Sequence, residues 1–241
     1  MASVFIDPVQ DNILDKYDSI ITVKFHAESG ETKLSEQWHV HRDLITQYSG
    51  YFRAALQENN FKEGKTGTVE LEHDDLKPFM MFLGWLYRRS MAHADVEEPT
   101  DPCIQLVRDT GKDDDGNAAD LMSRYVYAWV FGEMRQAPEF QDWVMHQLVA
   151  AANEIGFWIN RDAIQHAYDN TLSGSLLRKY LVDVLAPNAA LRMKFFQEKE
   201  DLYKDYPKSF TEELLVVLLT KGNAAPQESY NAASYVHKID P

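Results

Sequence analysis

Alternating apolar residues, the spacing of a β-strand, occur in this chain only before Leu76, and the apolar residues after it follow the spacing of helices. In the first strand-like segment, Ile21, Val23 and Phe25 fall on one side. A polar loop around Gly30 then returns the chain, which predicts a β-hairpin. A chain with a few early strands and many later helices is α+β, and its small sheet must come from the N-terminal part.

Two short helices are predicted directly after the hairpin. Arg42 to Gln47 form the first, and Ser49 is placed as the N-cap of the second, Gly50 to Gln57. A serine suits that position because its hydroxyl accepts a hydrogen bond from a free N–H of the first helical turn. A short alternating strand, Val69-Glu70-Leu71, follows before the first long helix.

The helix that begins at Leu76 carries more apolar residues than a surface helix needs. One stripe, which includes Leu83 and Leu86, has the spacing of a core face, and Phe82 and Trp85 form a second stripe. A helix that is apolar on two sides is either deeply buried or faces a partner. The first stripe already supplies a core face, which leaves Phe82 and Trp85 unexplained by folding alone, and we expect at least one of them to face a partner.

An acidic segment interrupts the helical pattern from Ala92 to Asp120. It holds nine acidic residues against Arg108 and Lys112, and it contains the run Asp113-Asp114-Asp115-Gly116. Its few apolar residues do not offset the entropy of ordering the backbone. We therefore expect an exposed, partly disordered loop that folding does not require.

The predicted domain organisation has four parts. Residues 1–17 form a short lead, and residues 18–153 form a domain that contains the acidic insertion 92–120. Residues 154–222 form an appended all-helical region. Residues 223–241, rich in Ala, Asn and Ser, are expected to be a flexible tail.

Charge and composition restrict the partners of the chain. With 24 basic and 38 acidic residues its net charge is −14, so we expect no direct nucleic-acid or membrane partner. No apolar run of about 18 residues predicts a membrane-spanning helix, and a secretory signal is not expected at the start. Cys103 is the only cysteine, which suits a reducing compartment, the cytoplasm or the nucleus.

Three patterns suggest chemistry, and each has a simpler interpretation. Gly64-Lys65-Thr66 is similar to the end of a phosphate-binding loop, but a strand follows where that loop needs a helix, so a turn is expected. His39 and His41 share one face of a strand without a third metal ligand nearby. The paired acids Asp74-Asp75 fit a helix N-terminus. We expect no cofactor, no metal and no enzyme; an enzyme of an unrecognised family is the competing class.

A series of short motifs in fixed order resembles the BTB/POZ domain. Asp18 stands before the first strand, Val40-His41-Arg42 ends the hairpin, Ser49-Gly50-Tyr51-Phe52 opens the second short helix, and Leu86-Tyr87 ends the long helix. Later phrases are similar to those of fungal members of the family: Val130-Phe131-Gly132-Glu133, Ala137-Pro138-Glu139-Phe140-Gln141, and Tyr168-Asp169-Asn170-Thr171 followed by Leu177-Arg178-Lys179. The acidic insertion departs from the metazoan modules, which have a shorter connection there.

The resemblance implies a BTB/POZ-like domain followed by an all-α region, in a non-catalytic intracellular module. Its motif residues would be structural, with His41 hydrogen-bonded to backbone. Such modules self-associate, as homodimers, or recruit protein partners.

The segment Phe61-Lys62-Glu63 is the sharpest functional feature that the resemblance implies. BTB modules that serve as cullin adaptors carry an apolar-x-Glu step just after the second short helix, where this segment lies. The chain would then be a substrate adaptor of a cullin-type ubiquitin ligase, with some of Phe61, Phe82 and Trp85 as interface anchors and Glu63 at the edge. Two alternatives stay open: Phe61 covers its own core, or the chain is a scaffold or transcription-linked interaction protein without cullin binding.

Overall fold

The computed structural model describes residues 19–29, 32–57, 61–72, 76–91, 118–155, 159–186, 206–221 and 229–237 of the chain. These residues divide between two compact units. The first contains the described residues of Met1–Leu76, Leu83–Ala92 and Arg135–Ala137, and the second contains those of Lys77–Phe82, His93–Met134 and Pro138–Pro241. The architecture is α+β, as the sequence predicts.

The first unit is built on a three-stranded sheet. Strands β1 (Ile20–Ser29) and β2 (Thr32–His41) form the predicted antiparallel hairpin. Strand β3 (Thr68–Glu72) pairs with the other side of β1 in parallel, so the strand order is β2-β1-β3.

Apolar side chains from all three strands share one face of the sheet. Val23 lies opposite Val69 and Phe25 opposite Leu71, so residues that are neighbours across the strands are buried together. Ile20, one position out of the alternation, keeps 62% of its surface exposed. The strand periodicity read from the sequence therefore identifies the buried face correctly.

Helices complete the first unit. They are α1 (Arg42–Tyr48), α2 (Gly50–Ala55), α3 (Lys62–Thr66) and the second half of α4 (Leu76–Met91). The predicted short helices and the long helix are confirmed. Leu44, Ile45, Phe52, Leu56, Leu83 and Leu86 are buried, as expected of the stripes that cover a sheet.

The described part of the second unit is helical, without a strand. It contains the first half of α4 and then α5 (Ala118–Met134), α6 (Pro138–Ile155), α7 (Arg161–Asn170), α8 (Leu176–Leu185), α9 (Lys208–Lys221) and a 3₁₀ turn at Ala232–Ser234. Asn160 and Ser175 cap α7 and α8, because their side chains accept hydrogen bonds from the N–H groups of Ala163 and Arg178.

Two predicted boundaries need correction. Residues 18–153 were expected to form one domain, but α5 and α6 pack with α7 and α8 in the second unit. Tyr127 of α5 stacks on His166 of α7 with ring centroids 4.4 Å apart, and the Tyr180 hydroxyl of α8 donates to the Leu148 carbonyl of α6 at 3.4 Å. The acidic segment is also shorter than predicted, since α5 begins at Ala118; residues 92–117 and the lead 1–17 lie outside the described residues.

The expected flexible tail, residues 223–241, contains an ordered segment. Residues 229–237 pack in the second unit, where Ala232 and Tyr235 are buried. A composition of small and polar residues indicated flexibility. It did not reveal that two tyrosines in this segment have partners on α6 and α8.

Candidate protein-interaction site

The predicted cullin-contact segment forms a single, well-anchored helical turn. Phe61 precedes α3 in extended conformation, and Gly67 follows it in the left-handed conformation, with φ of 63°. The Gly67 N–H donates to the Glu63 carbonyl at 2.8 Å, and the Gly67 carbonyl accepts from the Thr22 N–H of β1 at 2.8 Å. Glycine is suited to this position because it adopts positive φ without a steric penalty. The turn is therefore fixed to the sheet.

Phe61 is exposed on this turn. The side chain retains 55% of its surface, so the alternative that Phe61 covers its own core is not what the structure shows. Glu63 is half-buried, and Lys62 and Lys65 beside it are exposed. The segment presents one aromatic ring with a carboxylate two residues away in sequence and two exposed lysines.

Phe82 and Trp85 are core residues, which corrects the expectation that they face a partner. Only 0% and 2% of their surfaces are exposed. Within the second unit Phe82 packs on Phe131 and Phe140, with ring centroids 5.9 and 5.1 Å apart. Within the first unit Trp85 makes an edge contact with Tyr48 at 5.3 Å. The helix α4 is buried on both stripes because residues distant in sequence cover the second one.

His41 and Arg42, from the basic step of the motif, hold the hairpin to neighbouring helices. His41 Nδ1 shares a hydrogen bond of 2.8 Å with the Tyr87 hydroxyl, and the His41 N–H donates to the same oxygen at 3.4 Å. A backbone partner was expected for the His41 ring, and the structure shows a side-chain partner on α4. Arg42 donates to the Leu56 carbonyl, which ends α2.

Ser49 connects the second short helix to a segment that the sequence did not associate with it. Its hydroxyl donates to the Arg135 carbonyl at 2.6 Å and accepts from the Phe52 N–H at 3.2 Å. The N–H groups of Gly50 and Tyr51 donate to the Gln136 and Arg135 carbonyls at 3.0 and 3.3 Å. The first three N–H groups of α2, which a helix cannot satisfy internally, all have partners.

The aromatic pair of the same motif has two different surroundings. Phe52 is fully buried, and Tyr51 makes an edge contact with it at 5.2 Å between ring centroids. The Arg135 guanidinium lies 4.5 Å from the centroid of the Tyr51 ring, within range of a cation–π interaction. Asp18, the remaining motif residue, lies outside the described residues.

The patterns with possible chemistry have structural explanations. Gly64-Lys65-Thr66 lies inside α3, whose helix continues into a strand at Thr68, which is the wrong order for a phosphate-binding loop. His39 Nδ1 is 3.3 Å from the Thr22 hydroxyl. Within the described ranges no group of three or more potential ligand side chains is placed to hold a metal ion.

Among the described residues, tyrosines of the second unit have raised pKa values, and of these the sequence named only Tyr168, in a phrase of the fungal resemblance. Burial raises the pKa of the Tyr180 hydroxyl well above its usual range, with a smaller contribution from Tyr235 and Tyr230. Burial also raises the pKa of Tyr168, whose hydroxyl donates to the Glu213 carboxylate at 2.6 Å. Each hydroxyl is therefore held in its protonated form as a hydrogen-bond donor.

Arg178, from a phrase quoted for the fungal resemblance, is the centre of a buried cluster. Its guanidinium donates to the Tyr168 carbonyl at 2.7 Å, to the Thr171 hydroxyl at 2.9 Å and to the Thr171 carbonyl. It also lies 4.4 Å from the Tyr168 ring centroid and 3.9 Å from the Glu213 carboxylate. Arg178 therefore has a structural role, because this arginine of α8 is hydrogen-bonded to the C-terminal end of α7.

Comparison with known proteins adds no relative: no family model matches the sequence, and no curated protein matches it. Among the helices of the described residues, none is both long and apolar enough to cross a bilayer.

Proposed function

We propose that the chain is a non-catalytic protein-interaction module of the BTB/POZ type, and that Phe61 and Glu63 are part of its docking site for a cullin-type partner. In this role the chain links a substrate protein to a ubiquitin ligase. The proposal rests on the ordered motifs of the sequence and on the exposure of Phe61.

The exposed ring of Phe61 is the observation that carries the proposal. A single exposed apolar residue is common on protein surfaces and needs no explanation by itself. Phe61, however, is held at the start of a helical turn whose end is hydrogen-bonded to β1 through Gly67. A rigid aromatic side chain loses little conformational entropy when it enters a partner's apolar pocket, which is why aromatic residues are frequent interface anchors.

The surrounding architecture supports the same proposal. The hairpin, the two short helices and the third strand follow one another along the chain in the order of the motifs of the resemblance. His41, Arg42 and Ser49 make structural contacts rather than lining a reactive site. Because Phe82 and Trp85 are buried, Phe61 is the central residue of the proposed interface and Glu63 is its polar edge.

A binding measurement with matched variants tests the proposal. The full chain with Phe61→Ala and Glu63→Ala should bind a purified cullin about 30-fold or more weakly than the parent, since an aromatic anchor contributes about 2 kcal/mol. The control carries Ile20→Ala and Glu36→Ala, which remove an exposed apolar side chain and an exposed carboxylate from the same unit. The control should bind like the parent, and both variants should keep its circular dichroism spectrum and melting temperature.

The alternative function is a scaffold or transcription-linked interaction protein that binds no cullin. This alternative is favoured if the parent chain remains folded but binds none of the cullins tested. Equal binding by the parent and the Phe61/Glu63 variant would instead place the cullin contact elsewhere on the chain.

A further inference from the structure

The C-terminal segment Ser229–His237 is held by contacts of the kind that proteins use to bind peptides. The Asn153 carboxamide of α6 donates to the Tyr230 carbonyl at 3.0 Å and accepts from the Tyr230 N–H at 2.9 Å. One side chain thereby satisfies both backbone groups of a residue that has no neighbouring strand to pair with. Pairing with the backbone does not depend on the side chain that the residue carries, and it fixes the position of an extended segment.

Tyrosine side chains supply the specific part of this contact. The Tyr235 hydroxyl donates to Asp183 of α8 at 3.4 Å, and its ring lies 4.3 Å from Lys179 Nζ and 5.1 Å from the Tyr180 ring centroid. Lys179 and Asp183 are themselves an ion pair, 3.3 Å apart. A ring with a hydroxyl at its end fits this arrangement, because the cation faces the ring and the carboxylate faces the hydroxyl.

The two ends of the segment are also fixed. The Tyr230 hydroxyl donates to the Val184 carbonyl at 3.4 Å. At the other end the His237 N–H donates to Asp142 Oδ1 at 2.9 Å, and His237 Nδ1 lies 2.6 Å from the same oxygen. We call the surface formed by Asp142, Asn153, Lys179, Asp183 and Val184 the clasp groove.

The composition and burial of the segment favour its release from the groove of its own chain and its binding to the groove of a second copy. It contains no Asp, Glu, Lys or Arg, although the chain as a whole carries a net charge of −14. A neutral segment is not repelled by the acidic surface of another copy, whereas two acidic bodies repel each other. Among its side chains only Ala232 and Tyr235 are buried, so its release exposes far less apolar surface than the opening of a core helix.

We propose that the clasp groove is a peptide-binding site that accepts the Ser229–His237 segment of a second copy of this chain as well as the chain's own. The contacts described above join the segment to side chains and carbonyls of α6 and α8. A segment from a second copy makes the same contacts with the same geometry, which is the condition for exchange of an element between protomers. This contact is separate from the Phe61 site and does not depend on the proposed function.

A labelled peptide with the sequence of residues 229–237 tests the groove by fluorescence anisotropy. In the full chain with Tyr230→Ala and Tyr235→Ala, the tail variant, the chain's own segment is weakened and the groove is free. We expect the peptide to bind the tail variant at least tenfold more tightly than the parent, whose own segment competes. Adding Asn153→Ala and Asp183→Ala to the tail variant should abolish binding. A folded tail variant that does not bind the peptide, or binds it no better than the parent, overturns the proposal.

Mixing two variants tests exchange between copies. The groove variant carries Asn153→Ala and Asp183→Ala and keeps an intact segment, whereas the tail variant keeps an intact groove. Sedimentation of an equimolar mixture should show a 1:1 complex in excess of the self-association of either variant alone. If the mixture contains no more complex than the two variants form separately, exchange between copies is contradicted. Self-association through any other surface is present in all three samples, so the comparison isolates the groove.

The unmodified chain provides a measurement that does not require folded variants. The amide hydrogens of residues 229–237 should exchange at least tenfold faster than those in the centres of α6 and α8, because exchange between copies requires the segment to open independently. Equal protection of the segment and these helices would make the segment a permanent part of the core and would overturn the proposal.

Discussion

At the scale of single residues, the environment of α2 depends on atoms that are far away in sequence. Gly50 approaches Gln136 closely: a Cβ added at Gly50 would lie 2.6 Å from Gln136 Oε1 and 3.0 Å from its Cβ. Gln136 has a positive φ of 50°, which is uncommon for a residue other than glycine. Gly50 is therefore constrained by the lack of space for a side chain, and Gln136 is constrained by its backbone conformation.

Replacement of Gly50 should reveal this constraint. At the first position of a helix, Gly→Ala ordinarily stabilises a protein slightly by restricting the unfolded chain. Here the added methyl displaces Gln136, and we expect Gly50→Ala to lower the free energy of unfolding by about 1–3 kcal/mol, the usual cost of overpacking. Urea denaturation measures the change.

A second substitution provides the control. Gln136→Gly removes the side chain that the added methyl group would meet, and it relaxes the positive φ. In the Gly50→Ala background it should recover most of the lost stability. If Gly50→Ala alone is neutral or stabilising, the close approach is absorbed by the flexible end of the glutamine.

Residue-scale features differed in how far the sequence predicted them. The N-cap Ser49 was predictable because capping involves only residues close in sequence. The exposure of Phe61 and the burial of Phe82 and Trp85 were not, because helical spacing shows that a stripe is apolar but not what covers it. Phe131 and Phe140, distant in sequence, decide the position of Phe82.

At the scale of secondary-structure elements, the helix ends carry much of the long-range organisation. α2 begins against the carbonyls of Arg135 and Gln136, and α7 ends against Arg178 of α8. The free N–H groups and carbonyls of helix ends need partners, and side chains or loops from elsewhere provide them. These contacts determine which elements lie beside one another.

Arg178→Lys should separate the geometry of the guanidinium from its charge. The arginine is buried and reaches two carbonyls and a hydroxyl at once, which a lysine ammonium on a flexible stem cannot reproduce. We expect the free energy of unfolding to fall by about 2–3 kcal/mol, since buried carbonyls would lose charge-assisted hydrogen bonds. Thermal or urea denaturation tests this.

The matched control is Arg161→Lys at the start of α7, where the arginine side chain is half exposed. It should change stability by less than about 0.5 kcal/mol, as surface substitutions usually do. A similar loss in both variants would show that the guanidinium of Arg178 has no special structural role.

Elements with a strong local pattern were predictable, whereas pairing between segments that are distant in sequence was not. The alternation in β1 and β2 identified the hairpin, because a hairpin is formed by neighbouring segments. The parallel pairing of β3 with β1 could not be deduced from three alternating residues.

At the scale of the whole molecule, alkaline pH should destabilise the second unit. Burial holds the pKa of Tyr180 far above its usual value, and burial with the Glu213 hydrogen bond does the same for Tyr168. A tyrosine of the unfolded chain loses its proton near pH 10. Above that pH the unfolded state binds fewer protons than the folded state, so unfolding becomes more favourable; below it these groups are protonated in both states and have no effect.

Denaturant titrations between about pH 8 and 11.5 would measure the effect. Stability should be insensitive to these tyrosines up to about pH 10 and should then fall, by at most about 1.4 kcal/mol per pH unit for each group. Tyr180→Phe should reduce the slope of unfolding free energy against pH above about pH 10, whatever the absolute stability of the variant. An unchanged slope would mean that the Tyr180 hydroxyl ionises in the folded state as readily as in the unfolded chain.

The path of the chain through the first unit also affects how the gene can be divided. Arg135–Ala137 belongs to that unit, whereas the residues on both sides of it belong to the other. A gene segment that stops before this tripeptide would encode an α2 without the carbonyls that satisfy the Ser49 hydroxyl and the first N–H groups. Gene fusion or recombination could therefore transfer the N-terminal module intact only together with the coding sequence through Ala137, which also encodes α5 of the second unit.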